Sequence, residues 1–234
     1  MYFGHFAVAT VIKAKNPDVP AAPIFLGTGV LDILDGAFIL AGFDKVTPNL
    51  KASPYLFFNL TFIDWDHSFL AALFWSWLWG LICYYIYKKN KKIGWVAAIT
   101  AFLHFVCDLP LHNHDMAWYP FSKGHWGMGM WGTYHAWAWV VEAAFTVGML
   151  IYAYRVHRDR GEKITWQLAL IGLLTISLSP WLSPMKIVAT WPEPYATIGH
   201  GSLILLGFLL PALICTWLYK RSGLDIGKKA AAKA

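Results

Sequence analysis

Long apolar runs, separated by short polar stretches rich in Lys and Arg, dominate the chain. Six of them, 24–43, 68–87, 93–109, 131–154, 166–182 and 196–219, are long enough to cross an apolar layer of roughly 30 Å. This uses a rise of about 1.5 Å per helical residue and counts the flanking residues. Lipid offers no partners to peptide N–H and C=O groups, so each run is predicted to be a helix. The tight connection 88–92 predicts an antiparallel hairpin of the second and third spans. The pattern therefore reads as all-α: one polytopic transmembrane domain over 1–220 with about six helices, then a short basic tail over 221–234. No internal repeat is apparent, which argues against a transporter built from inverted halves.

Composition agrees. Hydrophobic residues make up 58%, charged residues only 14%, and mean hydropathy is +0.47, which excludes disordered and collagen-like chains and argues against a water-soluble enzyme. The 14 Trp and 11 Tyr suit a chain with many membrane interfaces. Cys83, Cys107 and Cys215 stand singly in apolar runs without CxxC spacing and read as small buried hydrophobes.

A net charge of +6 changes the picture through its distribution. Fifteen of the 19 Lys and Arg fall in Lys13/Lys15, 88–92, 155–163 and the tail after Lys220; Lys45, Lys51, Lys123 and Lys186 remain. These clusters flank apolar runs, a topology signal and not a nucleic-acid stripe, so no nucleic-acid partner is expected. The positive-inside rule then makes both termini cytoplasmic and turns the loops 44–67, 111–130 and 183–195 outward. Residues 1–12 lack a basic leader, so no cleaved signal peptide is expected.

Ionisable groups inside spans cost at least a few kcal/mol near the centre and need partners, water or a metal. Asp32 and Asp35, His104 and Asp108, His135 and Glu142, and His200 sit in four spans, with Asp64, Asp66, His67, His112, His114, Asp115 and His125 around their outer ends. His104 and Asp108 lie at i and i+4 on one helical face. Imidazole and carboxylate so placed make a two-ligand clamp for zinc, manganese or iron, which a His or Asp from a neighbouring helix would complete. Metal-bound water could then attack a phosphoester or amide, with Asp64, Asp66 or Glu142 as general base. Other readings stay open: an intramembrane hydrogen-bonded pair at His104/Asp108, a helix-interface role for Asp32 and Asp35, and an N-cap at Asp64 or Asp66. His125 and His200 read as surface histidines. His112 joins the face of His104 and Asp108 if the helix outlasts Pro110, and swings free if it does not.

The order Gly4-His5-Phe6, Leu31-Asp32-Ile33-Leu34-Asp35, Asp64-Trp65-Asp66-His67-Ser68 and His104-Phe105-Val106-Cys107-Asp108 resembles the bacterial inner-membrane metal-dependent hydrolase family, sometimes labelled LexA-binding. The resemblance covers about residues 1–154, a four-helix part, and leaves 155–220 as two additional helices. It implies metal-dependent hydrolysis, with His5, Asp32, Asp35, His67, His104 and Asp108 as the matched positions, in a bacterial inner membrane. Where many members carry a further histidine before the His-Ser pair, this chain has Asp64 and Asp66. The topology puts His5 near the cytoplasmic side, so either 3–12 dips into the bundle as a re-entrant helix or His5 is no ligand.

Three functions follow. The first is a membrane-embedded metal-dependent hydrolase with its His/Asp site near the outer leaflet, acting on a lipid-like or phosphorylated small substrate. Its metal set is His67, His104, Asp108, Asp32, Asp35, His5 and His112, with zinc preferred over manganese or iron. The second is a non-catalytic accessory subunit bound to other integral membrane subunits. The third is a proton or ion pathway through Asp32, Asp35, His104, Asp108 and Glu142.

Overall fold

The computed structural model describes residues 1–52 and 54–226, and the end of the predicted tail, 227–234, lies outside them. The chain is predominantly helical: α1 (Tyr2–Lys15), α2 (Ala21–Ala41), α3 (Asp64–His67), α4 (Phe69–Ile86), α5 (Lys91–Asp108), α6 (Met130–Tyr134), α7 (Ala136–Arg158), α8 (Thr165–Ser177), α9 (Met185–Val188) and α10 (Tyr195–Arg221). Two small antiparallel ribbons lie in the loops, β1 (Lys45–Pro48) with β2 (Phe58–Phe62) and β3 (Met116–Ala117) with β4 (His125–Trp126).

Four helices, α2, α4, α7 and α10, are long and apolar enough to cross a membrane, so the chain is a multi-pass helical membrane protein. The other two expected spans are helices that fall short. α5 matches α4 in length but carries Lys91, Lys92 and Asp108, and α8 has only 13 residues. The fifth run stops at Ser177 because Ser179 precedes Pro180, and a residue before proline is steered out of the helical region. The fourth run divides at His135, whose φ of 48° breaks the helix between α6 and α7. α2 ends at Gly42, which takes the left-handed φ of 79° and closes the last turn through Gly42 N–H to Ile39 O.

Small residues let the helices approach closely, as lipid-embedded packing requires. A Cβ on Gly36 of α2 would stand 2.5 Å from Leu205 N and 2.6 Å from Gly201 O of α10. The predicted α4/α5 hairpin forms in the same way, with a Cβ on Gly80 falling 2.7 Å from Gly94 O. Its turn takes Lys88 and Lys89 through φ values of 55° and 61°.

α1 occupies the middle. Phe3, Phe6, Ala7 and Ala9 are wholly buried, and α1 packs on α2, α7 and α8. At one end Lys13 Nζ donates to the carbonyls of Val19 at 2.7 Å and Asp225 at 2.8 Å, and Arg160 donates to Ala14 O at 2.5 Å. Lys92 pairs with Asp18 at 2.6 Å, so the basic clusters of the sequence gather at this end. Met1 lies a helix length away, about 21 Å, in the opposite half of the bundle against Asp108. α10, expected as an addition to a four-helix core, runs along α2 through that core.

The α2/α10 contact gives a first prediction. Gly36→Ala forces backbone against backbone and should cost about 1–3 kcal/mol, seen as a lower thermal midpoint in detergent, whereas Gly172→Ala, whose Cβ meets nothing within 4 Å, should not lower it.

Candidate metal centre

α5 presents His104 and Asp108 one turn apart, with Nε2 3.0 Å from Oδ2. α2 brings Asp32, whose Oδ2 is 3.2 Å from His104 Nε2 and whose Oδ1 is 3.6 Å from His67 Nε2. α3 supplies His67, with Nε2 3.7 Å from Asp108 Oδ2. The short α3 turn and the cap that follows it aim this ring: Ser68 Oγ accepts from Ala71 N–H at the start of α4. Ser68, and neither Asp64 nor Asp66, is therefore the cap of the second span.

Both histidines are oriented through their other nitrogen. His67 Nδ1 bonds Asp66 Oδ1 at 2.6 Å, and His104 Nδ1 bonds the Thr28 carbonyl at 2.7 Å. A carbonyl only accepts, so Nδ1 of His104 carries a proton and its Nε2 faces the carboxylates. Both Nε2 atoms are buried and have no hydrogen-bond partner among the described residues. Two imidazole Nε2 atoms thus confront two carboxylates, a set that could hold a metal ion or, with Nε2 protonated, pair as imidazolium and carboxylate.

The remaining matched residues close around this set. His5 Nε2 is 3.1 Å from Asp108 Oδ1, its ring stacks on His104 at 3.8 Å, and the Met1 amine also meets Oδ1. Of the two alternatives for His5, α1 within the bundle is the one found. His112 stays with the cluster because the chain makes one more turn past Asp108, with His112 N–H bonded to Asp108 O at 2.9 Å. Proline is tolerated there since Pro110 stands at the helix end. His112 Nε2 lies 4.0 Å from Asp108 Oδ1, and its Nδ1 is 3.1 Å from Asp115. Asp35, Asp66 and His67 form a further group, one ligand atom of each lying within 4.8 Å of the others. All seven residues read as metal ligands are therefore gathered in one buried region.

The three acids read as bases are buried as well, and each has a partner. Asp66 orients His67, and Asp64 holds the loop 111–130, its Oδ1 3.1 Å from His125 Nε2 and its Oδ2 accepting from Phe121 N–H. Glu142 lies behind Met1 and accepts from Tyr55 Oη at 2.6 Å. His135 is exposed, at the break between α6 and α7.

A cavity with about 30 Å³ for water opens on the cluster, lined by Asp32, Asp35, His67, Asp108, His112 and His200 among others. That space suits about two waters. His200, read from the sequence as a surface residue, is wholly buried with both ring nitrogens unpartnered, its ring 4.2 Å from that of Phe58. Its Gly-flanked position resembles boundary sequence, and only the α2/α10 contact turns it inward. Tyr55 and Asp44 were also missed: each is one polar residue in a loop, with no spacing to mark it.

No family model matches the chain, and no curated protein or solved structure matches it either.

Asp44 gives a pH prediction. Burial, reinforced by the Asp35 carboxylate, pushes it up from the ordinary 3.8 to about 7. The folded state therefore holds this proton more tightly than the unfolded chain, so the contribution is complete below about pH 4 and is lost as pH rises through 7. In detergent, the thermal midpoint of Asp44→Asn should rise relative to the unsubstituted protein between these limits. A pH-independent difference would contradict the assignment.

Proposed function

We propose that the chain is a membrane-embedded metal-dependent hydrolase. The observation that carries this reading is the pair of unpartnered Nε2 atoms of His67 and His104 facing Asp32 and Asp108. Asp108 Oδ2 lies 3.0 Å from His104 Nε2 and 3.7 Å from His67 Nε2, and Asp32 Oδ2 lies 3.2 Å from His104 Nε2, around the edge of about 3.3–3.4 Å expected of a tetrahedron with bonds near 2.05 Å. Neutral imidazoles with carboxylates suit zinc first, then manganese or iron. Asp66 and the Thr28 carbonyl are the partners that ligating histidines require behind them.

A metal held there supplies Lewis acidity and a water acidified towards neutrality. The protein's own groups do the rest. Asp35 lines the cavity with Oδ1 unpartnered, and it takes the proton from the attacking water. In a phosphoester, the water oxygen bonds phosphorus as the ester P–O bond breaks. The proton taken by Asp35 passes to the departing oxygen, and His200 lines the same cavity. His5 and the Met1 amine hold Asp108 Oδ1, leaving Oδ2 towards the metal.

In this reading α5 and α8 complete six membrane segments, and the basic end faces the cytoplasm of a bacterial inner membrane. The site then lies towards the outer leaflet, the C-terminal end of α10 is cytoplasmic, and Met1 is within the outer half. The resemblance to the inner-membrane metal-dependent hydrolases points the same way. An accessory-subunit role gains less support, because α10, the helix that looked added, brings His200 to the cavity.

The test is hydrolysis of p-nitrophenyl phosphate by purified protein in phospholipid vesicles. Activity should vanish on chelation, return with zinc or manganese, and fall to background in His104→Ala and Asp32→Ala. Asp66→Asn should keep the fold and weaken metal affinity by about 10–100-fold. Protein that binds no stoichiometric metal and co-migrates with larger membrane subunits would overturn the hydrolase in favour of the accessory role.

A further inference from the structure

α7 packs on α1 and not along α5, and the gap between α5 and α7 is a crevice of about 330 Å³. This volume falls within the ordinary range of small-molecule sites. Val106 and Cys107 form one wall and Val141 and Phe145 the other, while Met1 and Glu142 close the inner end. Val106, Val141 and Phe145 are 39%, 50% and 36% exposed, so the crevice opens on the outer surface of the bundle. α7 is long and apolar enough to span the membrane, and that surface therefore lies at the depth of lipid chains. Water gains nothing from so apolar a slot, whereas a hydrocarbon chain does.

The inner end shows where such a chain leads. Met1 lines both the crevice and the His/Asp cavity, so one flexible side chain stands between them. Gly4 makes room for it, since a Cβ there would collide with the Met1 side chain. The cavity holds only about 30 Å³ for water, too little for a whole substrate, and a head group can reach it by displacing the Met1 side chain, the amine staying on Asp108.

We propose that the α5–α7 crevice holds one acyl chain of a membrane lipid, whose phosphate ester is thereby presented to the His/Asp cavity past Met1. The chain-binding half stands on the crevice alone; the identity of that lipid as substrate rests on the hydrolase reading.

The full chain would be placed in vesicles of phosphatidylethanolamine and phosphatidylglycerol containing a trace of phosphatidic acid with a diazirine in one acyl chain. After illumination, cross-links should concentrate on peptides carrying Val106, Cys107, Val141 and Phe145. Val141→Trp, and Val106→Phe from the opposite wall, should each reduce them by roughly tenfold. Cross-links spread evenly over the lipid-exposed face, including Trp77 of α4, or indifferent to both substitutions, would overturn the proposal. In the same vesicles Val141→Trp should lower the ratio of phosphatidic acid to p-nitrophenyl phosphate turnover by about tenfold, while Trp77→Leu leaves that ratio unchanged. Crevice cross-links without hydrolysis of either phosphate would leave the acyl site standing and remove the hydrolase.

Discussion

Asp108 is the residue around which the bundle is arranged. A carboxylate with 1% exposure at the end of a helix within a membrane bundle is tolerable only if both oxygens are engaged. Oδ1 takes the Met1 amine and His5, while Oδ2 faces His104 and His67. To supply these partners, α1 enters the bundle with its first residues in the half opposite the basic clusters. α3 must turn its one histidine inward, and α2 must stand close enough to deliver Asp32. The close glycine contacts between α2 and α10 and between α4 and α5 are what bring these backbones near enough.

Orientation of the histidines follows from the same arrangement. Thr28 is part of α2, and its carbonyl is offered to His104, while its hydroxyl donates to the His5 carbonyl at 3.1 Å. One turn of α2 therefore ties α1 and α5 together and keeps a proton on Nδ1 of His104. Asp66 does this for His67 from the adjacent position in the chain. The reactive faces of both rings are set by neighbours that belong to the fold, so the site and the packing are a single construction.

Much of this was legible in the sequence, where periodicity and charge carry it. The i, i+4 spacing of His104 and Asp108 survives into the structure because helical geometry alone puts them on one face. The hairpin of α4 and α5 was likewise written in the short polar link between two apolar runs. His5 was harder to place, since a 14-residue helix is too short to span and the positive-inside rule orients loops, not buried half-spans. Two apolar runs proved shorter or broken for local reasons, Pro180 in one and the left-handed His135 in the other. His200, Tyr55 and Asp44 could not be found because their roles come from tertiary neighbours, on α2, α7 and α3 respectively, at sequence separations no local pattern encodes.

The central claim is that two imidazoles and two carboxylates share one cation. Zinc K-edge X-ray absorption of zinc-loaded protein tests it most directly. The account predicts about four nitrogen and oxygen neighbours at roughly 2.0–2.1 Å, with outer-shell scattering from two imidazoles that is lost in the His67→Ala, His104→Ala double variant. A zinc spectrum without imidazole scattering, or one unchanged in that double variant, would contradict it.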